Sequence, residues 1–149
     1  MPDSLTLTRV LDAPREVVWE AWTDPQQLAQ WWGPHGFTAP SVELDVRPGG
    51  QLRIDMQGPD GTIYPAVGEF NEVAEHERLV LTTRAVDGDG QTLIEARSTV
   101  TLEDDGGKTK LTVEVEVVHV APGAEEAAAG AEEGWNQTLD RLVAFVSER

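Results

Sequence analysis

Alternation of apolar and polar residues is the clearest pattern along this chain, and it predicts a sheet with one packed face and one wet face. Near the start, Leu5, Leu7 and Leu11 occupy alternate positions, which predicts a half-buried strand. The most regular alternation comes much later, where threonine and glutamate separate the apolar residues Leu111, Val113, Val115 and Val117. Such alternation is typical of an antiparallel sheet rather than of a parallel sheet buried on both faces.

Between these two strands, short apolar runs alternate with turn residues. Gly58-Pro59-Asp60-Gly61 predicts a hairpin turn, because glycine supplies the positive φ angles that such turns need. Asp87-Gly88-Asp89-Gly90 and the run 103–107 predict two more turns. The strands that these turns separate are predicted at about 52–56, 62–73, 79–86 and 93–102.

Two short helices are predicted directly after the first strand. Pro14 opens the first, since proline is tolerated at the first helical position. Asp24 as N-cap, Pro25 at the first helical position and Gln27 two residues later match a capping box that starts the second helix. This helix ends near Trp32, because Gly33-Pro34 cannot continue it. The first helix buries residues spaced by three and four: Val17, Val18, Ala21 and Trp22.

The last element is a long amphipathic helix predicted from about Gly123 to Glu148. Its inward residues are small in the first half and bulky in the second: Ala127, Ala131, Trp135, Leu139, Leu142, Phe145 and Val146. A bent sheet closing over a helix with small inward residues leaves space, and ligand cavities are typically concave, apolar and preformed. The hypothesis is a cavity under the first half of the helix. The alternative is that Phe37, Phe70 or the short helices fill this space.

Composition narrows the function classes. The 149 residues predict one domain spanning 1–149. No cysteine is present, which excludes disulfides and thiolate chemistry. The net charge of -16 argues against nucleic-acid binding and, through self-repulsion, favours a monomer or a weak dimer. The longest apolar run, Leu142 to Val146, is too short to cross a membrane, and the N-terminus lacks a signal-peptide pattern, so we expect a cytoplasmic protein with no membrane partner.

Four segments resemble one known family. They are the runs 12–25 (DAPREVVWEAWTDP), Trp31-Trp32-Gly33-Pro34, Pro48-Gly49-Gly50 and Glu133-Gly134-Trp135. Together they resemble the AHSA family, named for homology to the activator of the heat-shock-protein-90 ATPase, within the START-like helix-grip (SRPBCC) superfamily. The resemblance implies an α+β helix-grip fold: a seven-stranded antiparallel curved sheet wrapped around a long C-terminal helix, in the order β-α-α-β6-α, around a ligand-accepting cavity. The hydrophobic pattern alone predicts the same succession of a strand, two short helices, many strands and a last helix.

The resemblance leaves the activity open, since one fold hosts many functions. The eukaryotic co-chaperone carries a separate N-terminal domain that makes much of the chaperone contact, and no segment of this sequence corresponds to it, so chaperone contact is not the leading expectation. The superfamily also contains polyketide cyclases, lipid carriers and antibiotic-sequestering proteins.

Candidate chemistry centres on one histidine and several aromatic residues. His119 shares strand parity with Leu111 to Val117, which predicts that it points to the packed face, near Tyr64 or Trp135. There it would orient a ligand or act as a general base; the alternative is a rim histidine bonded to backbone or water. Of Trp31 and Trp32, we expect one to wall the cavity and the other to anchor the short helix.

The leading hypothesis is a non-catalytic protein that encloses a small apolar or aromatic molecule between sheet and C-terminal helix. The alternatives are a cyclase- or hydrolase-like enzyme and a chaperone-interaction module. No cofactor is expected, and His35, His76 and His119 are too scattered in sequence for a metal motif. The residues predicted to line the cavity are Trp31, Trp32, Phe37, Met56, Tyr64, Phe70, Leu81, His119, Ala127, Ala131, Trp135 and Leu139.

Overall fold

The computed structural model describes residues 3–87, 89–123 and 131–147. These residues form a β-α-α-β6-α sequence of elements, as predicted. The elements are β1 (Asp3–Leu11), α1 (Arg15–Thr23), α2 (Pro25–Trp31), β2 (Thr38–Leu44), β3 (Gln51–Gln57), β4 (Ile63–Ala74), β5 (Arg78–Val86), β6 (Thr92–Asp105), β7 (Lys108–Val120) and α3 (Ala131–Ser147).

All seven strands belong to one antiparallel sheet in the order β1-β7-β6-β5-β4-β3-β2. Strands β2 to β6 each pair with the next strand along the chain, as in a meander. The first strand instead pairs with the last, so that Leu5 lies opposite Val115 and Leu11 opposite Thr109. The curved seven-stranded sheet of the helix-grip fold is therefore confirmed.

Strand β2 is the one strand that apolar alternation did not predict. It is an edge strand that pairs only with β3, and its register shifts between Thr38 and Ser41. Pro40 stands within this irregularity. Proline is tolerated at sheet edges and bulges because it lacks the N–H that an interior ladder requires.

The helix starts follow the predicted cap residues, with two differences in detail. Pro14 is the N-cap of α1 rather than its first helical residue. Asp24 caps α2 by accepting a 3.0 Å hydrogen bond from the Gln26 backbone N–H, as expected of an N-cap carboxylate. In a full capping box, the Gln27 side chain would also accept a hydrogen bond from the Asp24 N–H. Among the described hydrogen bonds of this turn, the Asp24 N–H instead donates to the Glu20 carbonyl, and Gln27 Nε2 donates to Asp24 Oδ2.

The core occupies one half of the concave face of the sheet. There Leu11, Val113 and Leu111 are completely buried, and α3 packs above them through Leu139 and Leu142. The fully buried residues of the core include Leu11, Val18, Ala21, Trp31, Leu111, Val113, Leu139 and Leu142.

The predicted C-terminal helix is described from Ala131 onward. Residue Ala127, predicted to line a cavity, lies outside the described residues. Among the described helices, none has the length and apolarity that a bilayer span requires.

Candidate functional site

The concave face of the sheet divides into a packed half and an open half. In the packed half the inward residues are large and buried, as with Phe70 on β4, Leu79 on β5 and Val100 on β6. Further along the same three strands several inward residues are small and only half-buried, whereas Ile94 and Tyr64 on the same face are large. We call this second region the open half; its small members are Ala66, Thr83, Ala85 and Ala96.

Strand register shows that these small residues form one patch. Ala66 lies opposite Ala85, and Thr83 lies opposite Ala96. Directly paired residues share a face of the sheet, so all four point to the concave side. We call the concave surface over these four small, half-buried residues the groove.

Aromatic and sulfur-containing side chains cluster around the loop 33–37. The rings of Phe37 and Tyr64 lie 5.8 Å apart, and those of Trp32 and Trp135 lie 5.6 Å apart. Met56 lies opposite Tyr64 on the neighbouring strand β3. Tyr64 is 45% exposed and the others are half-buried. We call these five residues the aromatic rim.

The loop 33–37 carries part of this rim, and α3 holds it in place. Arg141 Nη1 donates to the carbonyl oxygens of Trp32, Gly33 and Phe37 at 3.1, 2.8 and 3.1 Å. Burial lowers the pKa of Arg141, yet a guanidinium stays charged at any physiological pH. Gln137 adds a second link by accepting a 3.0 Å hydrogen bond from the His35 backbone N–H.

Trp31 and Trp32 differ in burial and in contacts. Trp31 is completely buried, and its indole N–H donates to the Ala21 carbonyl at 3.1 Å. This ring therefore anchors α2 to α1. Trp32 is half-buried, and its ring packs edge-on against both Trp22 and Trp135. Its role as a wall for a ligand stays a prediction.

The predicted orientation of His119 is wrong because β7 contains a bulge. Val117 pairs with Ala96, but His119 pairs with Glu95, so that Val118 is an extra residue between them. One extra residue reverses which face the following side chains occupy. His119 therefore shares the convex face with Glu95 and is exposed.

Four other residues predicted to line the cavity belong to the core instead. They expose at most 5% of their surface and contribute to tight packing: Trp31, Phe70, Leu81 and Leu139. Ala131 is the first residue of α3. Of the remaining predicted residues, Trp32, Phe37, Met56 and Trp135 are half-buried and Tyr64 is exposed, and their role in lining a ligand cavity stays a prediction.

Sequence reasoning missed the residues of the groove floor and the arginine that holds the rim. Thr83, Ala85 and Ala96 stand at inward positions of predicted strands, so the loss of bulk along β5 and β6 was a readable signal. Arg141 carries no such signal, because its carbonyl partners lie more than 100 residues away in sequence.

The convex face carries an ion-pair network. Arg84 donates to both carboxylate oxygens of Glu69, at 2.8 and 2.9 Å, and lies 3.7 Å from Glu95. The hydrogen bonds from Arg84 lower the pKa of Glu69, and those same bonds raise the pKa of Arg84. A surface pocket of about 620 Å³ lies beside this network, on the convex face and apart from the groove. Glu69 and Arg84, which line this pocket, already neutralise each other. The pocket therefore offers little electrostatic attraction to a charged ligand.

The three histidines lie apart from one another. His35 is in the loop that follows α2, and His76 is in the turn between β4 and β5, edge-on to Trp19. His119 is on the convex face of β7. Within the ranges that the structure describes, no three histidine, cysteine, aspartate or glutamate side chains are close enough to share a metal ion.

Solved structures of similar proteins share this fold. A protein from Chromobacterium violaceum is 32% identical with a TM-score of 0.81, the alignment covering 98% of each chain. A protein from Arthrobacter aurescens, solved by solution NMR, is 29% identical with a TM-score of 0.87 over 98% of this chain and 87% of that one. The AHSA1 protein from Silicibacter pomeroyi is 25% identical with a TM-score of 0.79 over 97% of each chain.

No curated protein sequence matches this chain. The family model described as "Activator of Hsp90 ATPase homolog 1-like protein" matches residues 12–147, which is almost the whole chain. The helix-grip topology, the Trp-Trp-Gly-Pro segment and this match agree, and the chain belongs to the family of Activator of Hsp90 ATPase homolog 1-like proteins.

Proposed function

We propose that this protein binds a small apolar or aromatic molecule in the groove between the open half of the sheet and α3. The observation that carries the proposal is the drop in side-chain size along the concave face. On β5 and β6, buried Leu79 and Val100 give way to half-buried Ala85 and Ala96. Burial of apolar ligand surface would supply the affinity, at roughly 25 cal/mol per Å².

The aromatic rim supports the same function. Phe37 packs against Tyr64, and Trp32 packs against Trp135, so two aromatic pairs are available to contact a planar ligand. Aromatic pairs add favourable edge and stacking contacts beyond simple area burial. A flat, apolar ligand suits these two pairs best.

Thermal-shift and ligand-observed NMR screening against aromatic polyketides, flavonoids and fatty acids tests the proposal. We expect at least one of these classes to bind. The variant Ala96→Phe should abolish that binding, because a phenyl ring on the concave face occupies the groove. Thr101→Phe is the matched control, since it adds the same ring to the convex face of the same strand.

Two results would contradict a receptor role. One is a flat response to all three ligand classes by the intact protein. The other is binding that survives Ala96→Phe but not Thr101→Phe, which would place the ligand on the convex face.

The acid–base alternative loses its candidate residue, because His119 is on the convex face. Among the side chains that the structure describes, the small residues of the open half include no carboxylate, imidazole or amine. The family description names a chaperone activator, but the proposal depends on the groove, which a chaperone contact would not require.

A further inference from the structure

Another surface pocket lies at the end of the sheet, beside the segment that joins β5 to β6. Its volume is about 370 Å³. The lining is apolar apart from one carboxylate and one phenol hydroxyl: Ile63, Tyr64, Pro65, Val86, Asp87 and Leu93. The proposed function does not use this pocket, although Tyr64 belongs both to the pocket and to the aromatic rim.

An unpaired strand end and a bulge leave these apolar side chains on the surface. The ladder between β4 and β5 starts only at Ala66, so Ile63 and Tyr64 extend past it, and they are 46% and 45% exposed. Leu93 is an extra residue in β6, since the residues on either side of it pair with consecutive residues of β5. A bulge interrupts the ladder and redirects its side chains. Scattered exposed apolar residues are normal, but contiguous ones with a polar border are typical of binding sites.

The only charge in the pocket lining is negative. Asp87 Oδ1 accepts hydrogen bonds of 2.9 Å from the backbone N–H groups of Asp89 and Gln91, which holds the carboxylate at the wall of the pocket. Among the described residues, no arginine, lysine or histidine lines the pocket. A bound cation would therefore pair with a carboxylate and meet no competing cationic side chain.

The surrounding charges favour a cation as well. Arg84 stands two residues before Val86 on β5, but it donates to both carboxylate oxygens of Glu69. Arg53 on β3 is also paired, with its Nε 3.3 Å from Asp55. The chain as a whole carries a net charge of -16. A negative field raises the local concentration of cations and repels anions on approach.

Tyr64 supplies a second attraction for a positive charge. The face of an aromatic ring attracts an ammonium group that lies within about 6 Å of the ring centre. The Tyr64 ring is available for this contact because it is 45% exposed at the pocket. Ile63, Val86 and Leu93 would instead contact an apolar part of the ligand, whose burial contributes to affinity.

We infer that this pocket binds an organic cation with an apolar body, of the alkylammonium or arylammonium class. Its ammonium group pairs with Asp87 and lies against the Tyr64 ring. The inference goes beyond the proposed function and is independent of it, because none of the four small residues that define the groove lines this pocket.

Three probes with one apolar body test the inference: 4-phenylbutylamine, 4-phenylbutanol and 4-phenylbutyrate. At neutral pH the first is a cation, the second is uncharged and the third is an anion. Titration followed by amide chemical shifts measures each dissociation constant and locates the site. We expect the amine to bind about three- to thirtyfold more tightly than the alcohol, the range for one exposed ion pair and one cation–π contact. It should shift the amide signals of Ile63, Val86 and Leu93, and 4-phenylbutyrate should bind most weakly.

Variants assign the preference to the two residues. Asp87→Asn removes the charge but keeps an oxygen for the turn hydrogen bonds, and should weaken amine binding by about two- to fivefold without affecting the alcohol. Asp89→Asn is the matched control, since it removes the same charge two residues away and outside the pocket lining. It should have a smaller effect on the amine. Tyr64→Leu should weaken amine binding more than alcohol binding, because it retains bulk but removes the aromatic face.

Several results would overturn the inference. They are equal affinities for the amine and the alcohol, tighter binding of 4-phenylbutyrate, equal losses for Asp87→Asn and Asp89→Asn, and failure of all three probes to bind. None of these bears on the groove. Ala96→Phe keeps the two proposals apart: amine binding that survives this substitution supports a separate pocket, whereas amine binding that it abolishes would assign the probe to the groove.

Discussion

Arg141 Nη1 lies 2.8 Å from the carbonyl oxygen of Gly33, although the two residues are 108 positions apart in sequence. The same nitrogen reaches the carbonyls of Trp32, Pro34 and Phe37. A single guanidinium on α3 thus satisfies the backbone of a loop that has no regular secondary structure of its own. The position of the aromatic rim depends on this contact between helix and loop.

Arg141→Ala should destabilise the protein by about 2–3 kcal/mol, because several carbonyl groups lose a charged donor in a partly buried place. Urea unfolding at neutral pH measures this change. Arg47→Ala is the control: it removes an arginine whose ion pair with Asp45 is largely exposed, and should cost less than about 1 kcal/mol. Equal costs for the two variants would show that the carbonyl contacts of Arg141 do not stabilise the loop.

Gly33→Ala should be more destabilising than an ordinary glycine substitution at a positive φ. Gly33 has φ of +100°, and a Cβ atom placed on it would lie 3.1 Å from Met56 Sδ and 3.3 Å from Phe37 Cβ. Gly49→Ala provides the comparison, since Gly49 has φ of +82° but no atom within 4 Å of its added Cβ. We expect roughly 1 kcal/mol for Gly49→Ala and a larger loss for Gly33→Ala. Equal losses, measured by urea unfolding, would rule out crowding at the rim.

Trp22→Ala and Trp135→Ala should differ in cost. The rings are nearly parallel, with centroids 6.5 Å apart, but Trp22 is 2% exposed whereas Trp135 is half-buried. Trp22→Ala should cost about 3–5 kcal/mol and Trp135→Ala clearly less. Calorimetric unfolding of both variants measures the difference. A larger cost at Trp135 would mean that its ring, and not that of Trp22, anchors the helices.

The Glu69–Arg84 pair should contribute stability that depends on pH. Because Arg84 lowers the pKa of Glu69 below its ordinary value of 4.5, the contribution is fully present above pH 4.5. It is lost as the pH falls through the lower pKa of the folded state. Glu69→Gln should therefore cost up to about 1 kcal/mol at neutral pH and nothing once the pH is well below 4.5.

Urea unfolding of Glu69→Gln and of the parent protein, at neutral pH and at a pH well below 4.5, measures how the cost of the substitution changes with pH. Glu77→Gln is the control, because the Glu77 side chain makes no ion pair within the described residues. A penalty for Glu69→Gln that persists unchanged in acid would contradict an electrostatic origin.

Most strands were predictable because their signal is local. A strand with one buried face must alternate, so the positions of Leu111, Val113 and Val115 predict both β7 and its inward face. Strand β2 lacks this signal, since an edge strand with a proline and a register shift need not alternate. The family resemblance, and not the hydrophobic pattern, accounted for that strand.

The candidate site was predictable only in part. The aromatic residues Trp32, Phe37, Tyr64 and Trp135 were expected at the cavity, and the structure brings them together as two pairs, Phe37 with Tyr64 and Trp32 with Trp135. Their role in binding a ligand stays a prediction. His119 was assigned to the wrong face because a bulge depends on pairing with β6, which apolar periodicity within β7 does not reveal.

The order of elements, the turns and the cap at Asp24 follow from the sequence alone, because each depends on residues only a few positions apart. Tertiary structure decided which tryptophan is buried, which face His119 occupies and where Arg141 finds its partners. These properties depend on strand register and on contacts between distant segments, and no local pattern of side chains encodes either.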